Sequence, residues 1–316
     1  MALQETVHDN LHGMVQSQWL GTKDELTPPS VRRMDYFWDA ANLAIVILEH
    51  ICVLAAPSHF TWHAFWVCVV LSVLCGPIGI GLCYHRSLCH RSLKLNKSVE
   101  YLFAYFGLHA AQGDPIYWVS VHRFHHQFVD TLKDPHSPIE GFWFSYINWI
   151  FQHTYLREKH SDHVFAVRKT NNVMDLKKQA YYRFLRKTIS FHYVGLALLL
   201  YVTGGLPHFI WGMGVRMAYS HHGTFIINSV CHMWGKRPYN TKDLSRNNWL
   251  MNILNLSGEG WHNNHHAFEF SARLGLEWWQ LDFPWYVIKL LESIGLATDV
   301  KVPTEIQKLQ MSSKNQ

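Results

Sequence analysis

The stretch "FTWHAFWVCVVLSVLCGPIGIGLC" (residues 60–83) decides the fold. A bilayer-spanning helix needs ~20 mostly apolar residues. This stretch supplies them without one Asp, Glu, Lys or Arg. Three more apolar stretches read as spans: Trp38 to Ala56, Thr188 to Gly205 and Pro207 to Cys231. Glu49, Arg216, His221 and His222 interrupt two of them. A charge near a helix centre costs ~2.5–3.5 kcal/mol on insertion scales, so these side chains are expected inside the protein or near an interface.

The connections set the orientation. Short links near "APSHF" and "GGLP" join the first two spans and the last two, and neither carries Lys or Arg. The long segment between the second and third spans holds Arg86, Arg91, Lys94, Lys97, Arg123, Lys133, Arg168, Lys169, Lys177, Lys178, Arg186 and Lys187. The positive-inside rule puts that segment and both termini in the cytosol. The expected fold is an all-α membrane protein, with four transmembrane helices as two hairpins and a cytosolic helical cap. The expected division is a polar segment 1–37, a membrane domain 38–300 with its cap mainly in 84–187 and 232–300, and a polar tail 301–316. "EYLFAYFGLHAAQ" (100–112) and "GFWFSYINWIF" (141–151) are apolar but too short to span. They read as interfacial helices or buried cap.

Composition agrees. Charged residues are 16 % of the chain, against ~25 % in ordinary soluble domains. The net charge of +5 is too small and scattered to argue for nucleic acid. The cysteines form no CxxC pair and read as buried thiols. Residues 1–35 contain Glu5, Asp9, Asp24 and Glu25, which fits a transit peptide badly.

Histidine is in excess, with 23 copies. His85 and His90 form H-x4-H just after the second span. His122, His125 and His126 form HxxHH in "HRFHH"; His262, His265 and His266 repeat it in "HNNHH". At helical spacing each HxxHH lies on one face. Two such boxes are expected in under ~0.01 of shuffled chains of this composition. His232 sits at the end of the fourth span, four residues after Asn228. The predicted topology brings all of them to one membrane face. Nine imidazoles are too many for one ion. Two ions with four or five nitrogens each would use them, and iron, copper, nickel and zinc all suit such a set. Asn228 fits a role holding a water on one metal. Asp130, Asp134 and Glu259 are the carboxylates placed to accept from the far ring nitrogens. His8, His12, His59, His109, His136, His153, His160, His163, His192 and His208 read as ordinary structural histidines. His221 and His222 read as interior hydrogen-bonding residues.

"YHRSLCHRS", "VHRFHHQFVDTLKDPHSP", "NSVCHMWG" and "GEGWHNNHHAF" resemble the membrane fatty acyl desaturases of the stearoyl-CoA desaturase type, from about residue 38 to 300. "QGDP", "EGFWFS" and "LEWWQ" make the plant acyl-lipid Δ9-type members the nearest likeness. The resemblance implies a non-haem di-iron centre held by His85, His90, His122, His125, His126, His232, His262, His265 and His266, with a water on Asn228. Asp130, Asp134 and Glu259 match the family's outer carboxylates. It implies O2 as co-substrate, two electrons from outside and a cis double bond at Δ9, or Δ7, in a saturated chain. Trp118 matches a tunnel wall. Val73 and Pro77, two to three turns before His85, are placed to bound the tunnel's far end. Animal acyl-CoA members usually carry an Arg-Asp pair where this chain has Ser120 and Val121, which favours a membrane-lipid ester over CoA. The expected donor is cytochrome b5 with its reductase in the endoplasmic reticulum membrane; ferredoxin in a plastid envelope is the alternative. A di-iron hydroxylase or alkane oxygenase is the rival enzyme, and a metal transporter the remote one.

Overall fold

The computed structural model describes residues 33–159 and 171–313. Met34–Gln316 forms one compact unit. The expectations for residues 1–32, His8, His12, His160, His163, Arg168, Lys169 and the last three residues lie outside the described residues.

The described chain is almost all helix. Helix α1 is Arg33–Ala55, and α2 is Trp62–Val73. A π-wound segment, Leu74–Cys89, continues α2 without a break. Its sequence explains the winding: Pro77 lacks an N–H, and Gly76, Gly79 and Gly81 give the backbone freedom. The helix therefore runs six residues past Cys83, where the apolar stretch was expected to end, and carries His85 inside its last turn. The cap contains α3 (Lys97–Leu108), α4 (Pro115–Phe128), α5 (Phe142–Tyr146), α6 (His153–Lys159) and α7 (Met174–Lys177). Helix α8 is Ala180–Phe209; a π-turn, Ile210–Val215, leads into α9 (Arg216–Met233). Short helices α10 (Trp249–Asn255), α11 (His262–Ala267), α12 (Phe283–Ser293) and α13 (Glu305–Met311) follow. Strands β1 (Lys94–Leu95) and β2 (Ala297–Thr298) pair antiparallel, with Lys94 opposite Thr298.

Among the described residues, three helical runs are long and apolar enough to cross a membrane: Tyr36–Ala55, Trp62–Cys89 and Ala180–Met233. The expected third and fourth spans thus lie in one 54-residue run. That run is broken at Gly204 and Gly205, whose backbone leaves helical geometry; Gly205 has φ +62°. A Cβ added at Gly212 would lie 2.9 Å from the Leu200 side chain. Twelve residues of straight helix would separate these two by ~18 Å, so the chain doubles back at the break. Large apolar side chains such as Leu54, Phe191 and Val202 lie exposed on these runs. They face the medium that a lipid bilayer would supply.

One close approach and one capped helix start set the cap on the spans. A Cβ added at Gly79 would sit 2.3 Å from the Gly107 backbone nitrogen. The glycine pair lets α3 lie directly on the π segment, as small residues do between membrane helices. Helix α4 begins with Asp114 accepting from the Ile116 and Tyr117 N–H groups and with Pro115 in the first turn. The core between these elements packs Cys83, Tyr84, Leu88, Ala104, Ile116 and Val119.

Candidate metal centre

The nine predicted histidines converge in two clusters. His85, His90, His122, His126 and His265 form one; His125, His232, His262 and His266 form the other. Five chain segments meet here: the end of the π segment with the residue after it, α4, α9, α11, and the loop carrying Asp243 and Ser245. Helix α11 is too short to hold itself in place. Buried Asn263 and Asn264 fix it, through the Tyr239 N–H at 2.8 Å, the Asn247 amide at 2.6 Å and the Leu274 carbonyl at 2.8 Å.

In each cluster the Nε2 atoms point at one another. His85 and His265 approach to 3.1 Å, His265 and His126 to 2.9 Å, and His90 and His122 to 3.1 Å. In the second cluster His232 and His262 approach to 2.9 Å, and His262 and His266 to 3.1 Å. The opposite ring edges are anchored. The Nδ1 of His85 meets Glu259 at 2.9 Å, His125 meets Asp134 at 3.0 Å, and His232 meets Asp130 at 3.0 Å. A carboxylate accepts, so each Nδ1 carries the hydrogen and Nε2 is the edge left to bind a metal. Burial pulls the His232 pKa down, but its hydrogen bond to Asp130 and the nearby carboxylates leave it above the ordinary value. Lone pairs crowded together repel unless a cation sits between them. Bonds of ~2.1 Å at right angles put neighbouring nitrogens ~3.0 Å apart, whereas tetrahedral bonds put them ~3.4 Å apart. The observed spacings are close to both, so each cluster can close around one ion. The donor set therefore fits a pair of transition-metal ions such as iron.

All three sequence-predicted carboxylates meet these histidines. Two others were missed: Asp243 lies 3.0 Å from His266 Nδ1, and Glu269 lies 3.1 Å from His126 Nδ1. Asp243 is distant in sequence and carries no box. Glu269 follows His266 by three residues, the usual helical offset, and could have been weighed. His136, read as an ordinary histidine, stands 3.7 Å from Asp134, with its ring 4.5 Å from that of His125. Asn228 lies one helical turn before His232, half-buried, without a hydrogen bond among the described residues. Trp118 stacks on His122, with ring centroids 5.0 Å apart, and donates its indole N–H to Gln112. Pro77 is buried and Val73 half-buried. Arg86, next to His85, is buried. It reaches Asp282 at 2.8 Å and the Ser257 and Ala272 carbonyls at 2.8 and 3.0 Å. It ties the π segment to the chain on either side of α11.

Burial and neighbouring imidazoles hold His90, His122, His125, His262, His265 and His266 well below the ordinary value of 6.5. Neutral rings are the metal-binding form. As pH falls, the unfolded chain takes up protons before the folded one does. Metal-free protein should therefore be stable above about pH 6.5 and lose stability steadily below it. Thermal unfolding of chelator-treated protein at stepwise lower pH checks this; a midpoint flat to about pH 5 would contradict it. Asp243→Asn should weaken metal retention ~10–100-fold, read by competition with a chelator.

The sequence profile of the "Fatty acid desaturase" family matches residues 60–291. The chain is 57 % identical over 315 residues to an "Acyl-CoA C20 Delta5-desaturase" of Anemone leveillei, covering 100 % of this chain and 98 % of that one. It is 53 % identical over 274 residues to the "Palmitoyl-monogalactosyldiacylglycerol delta-7 desaturase, chloroplastic" of Arabidopsis thaliana, covering 87 % and 72 %. It is 51 % identical over 281 residues to "Delta-9 acyl-lipid desaturase 2" of the same plant, covering 89 % and 87 %. The matched region contains all nine histidines and the carboxylates around them, and on this evidence the chain belongs to the fatty acid desaturase family and is an oxidoreductase acting on acyl chains.

Proposed function

We propose that the two histidine clusters each hold one iron, and that the pair serves to place a cis double bond in a saturated acyl chain. The observation carrying this reading is the sorting of nine lone-pair-bearing imidazoles into sets of five and four. Bound iron would supply the O2 activation and oxidising power that an unactivated C–H bond demands. The chain's own residues do the rest. Asp130, Asp134, Asp243, Glu259 and Glu269 orient the rings and keep Nε2 free, and Asn228 holds a water beside the second cluster. Trp118 and Gln112 form a fixed wall; the Gln112 amide binds Ser220 and Thr224 of α9 at 3.1 and 2.8 Å. Val73 at the end of α2 and Pro77 in the π segment bound the chain's far end. Positional choice then follows from how far the chain slides before it is stopped.

The membrane domain spans 38–300, with the 54-residue run crossing twice. The break at Gly204–Gly205 and the Leu200–Gly212 approach support this pair of hairpins. The clusters lie at the ends of the spans, beneath a cleft of about 710 Å³ lined by His90, Arg91, Arg123, His126, His266 and Glu269. Two electrons enter there from cytochrome b5 and its reductase at the endoplasmic reticulum membrane, with ferredoxin in a plastid as the second reading.

A membrane-lipid ester desaturated at Δ9, or Δ7, is the substrate reading carried forward from the motifs. Ser120 and Val121 support it: both are buried, and Ser120 is spent on Asn172 at 2.8 Å, so neither can hold an anionic CoA group. The full-length likeness to the Anemone relative favours a second reading, Δ5 on acyl-CoA. Product analysis separates them. In yeast lacking its own Δ9 desaturase, the chain should yield a cis-monoene; bond location gives Δ5, Δ7 or Δ9, and its earliest lipid class gives the carrier. Hydroxylated acids in place of a monoene would contradict desaturation and favour the oxygenase.

A further inference from the structure

A third group of ligating atoms lies outside the nine histidines. Glu49 and His50 on α1 face His222 on α9, with one ligand atom from each within 4.8 Å of the others. His50 donates Nδ1–H to the Val46 carbonyl at 2.7 Å, which leaves its Nε2 a lone pair. That Nε2 stands 3.2 Å from the Nε2 of His222. The far edge of the His222 ring is held by the Tyr146 hydroxyl at 2.6 Å. This repeats the pattern of the two main clusters: converging Nε2 atoms and pinned Nδ1 edges. Glu49 adds a second observation. Its Oε2 meets His221 Nδ1 at 2.8 Å, but its Oε1 is buried without a partner, and the residue is 2 % exposed.

A hydrogen bond between the two imidazoles would also bring their nitrogens to 3.2 Å. It would leave the Glu49 oxygen buried and unsatisfied, which costs stability, the more so for a charged group. A cation satisfies the imidazoles and the carboxylate together. We infer that Glu49, His50 and His222 form a third metal site that takes a divalent ion of the zinc class and ties α1 to α9. Two imidazoles and a carboxylate are a zinc-type donor set, and 3.2 Å is a spacing that two nitrogens bound to one ion can adopt. The clamp has mechanical sense. Among the described side chains of α1, only Glu49 and Cys52 are buried, so the helix is held by few contacts.

The test uses the full chain purified in detergent, stripped with chelator and reloaded with Zn2+ as probe. Metal analysis should find one zinc fewer per chain in a His50→Ala/His222→Ala double variant than in wild type. Zn2+ should also raise the unfolding temperature of wild type by more than that of the variant. Equal zinc content would overturn the site. If the double variant aggregates, zinc-edge anomalous scattering from wild-type crystals decides: a peak between His50 and His222 supports the site, and no peak there overturns it. Both readouts are taken at this position, so they stand apart from the iron reading of the main clusters.

Discussion

His265→Ala is expected to eliminate the acyl double bond while leaving the protein in the membrane. His265 Nε2 meets both His85 and His126, at 3.1 and 2.9 Å, so it stands at the junction of the five-histidine cluster. It is 1 % exposed, and no neighbouring group can move in to replace its nitrogen without unpacking α11. Removing a carboxylate that only orients a ligand costs ~10–100-fold; removing the ligand itself should cost more. Monoene content of host lipids, with protein level measured alongside, reads the effect. Product above about 10 % of wild type would count against this assignment, since even orienting residues cost that much.

Arg86→Met should cost ~3–5 kcal/mol of stability, for a different reason. The methionine fills much of the volume, but it strands Asp282, which is 1 % exposed. It also strips a donor from the Ser257 and Ala272 carbonyls. Asp282 would keep its bonds from the Leu274 and Gly275 N–H groups but lose its counter-ion at 2.8 Å. Since Arg86 joins the segment bearing His85 to the chain around α11, metal retention should fall with stability. Arg86→Lys keeps the charge but not the fork, and should recover only part of the loss. Unfolding temperatures of the detergent-solubilised variants measure this; a shift within error of wild type would refute the role given to Arg86.

The sequence made the clustered histidines legible because their signal is local. HxxHH fixes three rings on one helical face, and both boxes landed at the clusters. The apolar runs were legible for the same reason, since length and composition within one segment identify them. "GGLP" was read as a link between two spans, and Gly204 and Gly205 break the helical geometry within α8. What stayed hidden depends on contacts between distant segments. Asp130 follows the HRFHH box closely in sequence, yet its carboxylate serves His232 on α9. Asp243 lies 23 residues before His266 and reaches it only through the fold. The Gly79–Gly107 approach needs two helices in register, which neither helix shows alone. The π segment past Cys83 was missed because "HRSLCH" is polar enough to read as a connection, although tertiary burial keeps it helical.

Iron-edge anomalous scattering from crystals of the active protein tests the central claim most directly. The account predicts two iron peaks, one within reach of His85, His90, His122, His126 and His265, and one within reach of His125, His232, His262 and His266. A single peak shared by all nine, or no iron at either cluster in protein that still forms the double bond, would contradict it.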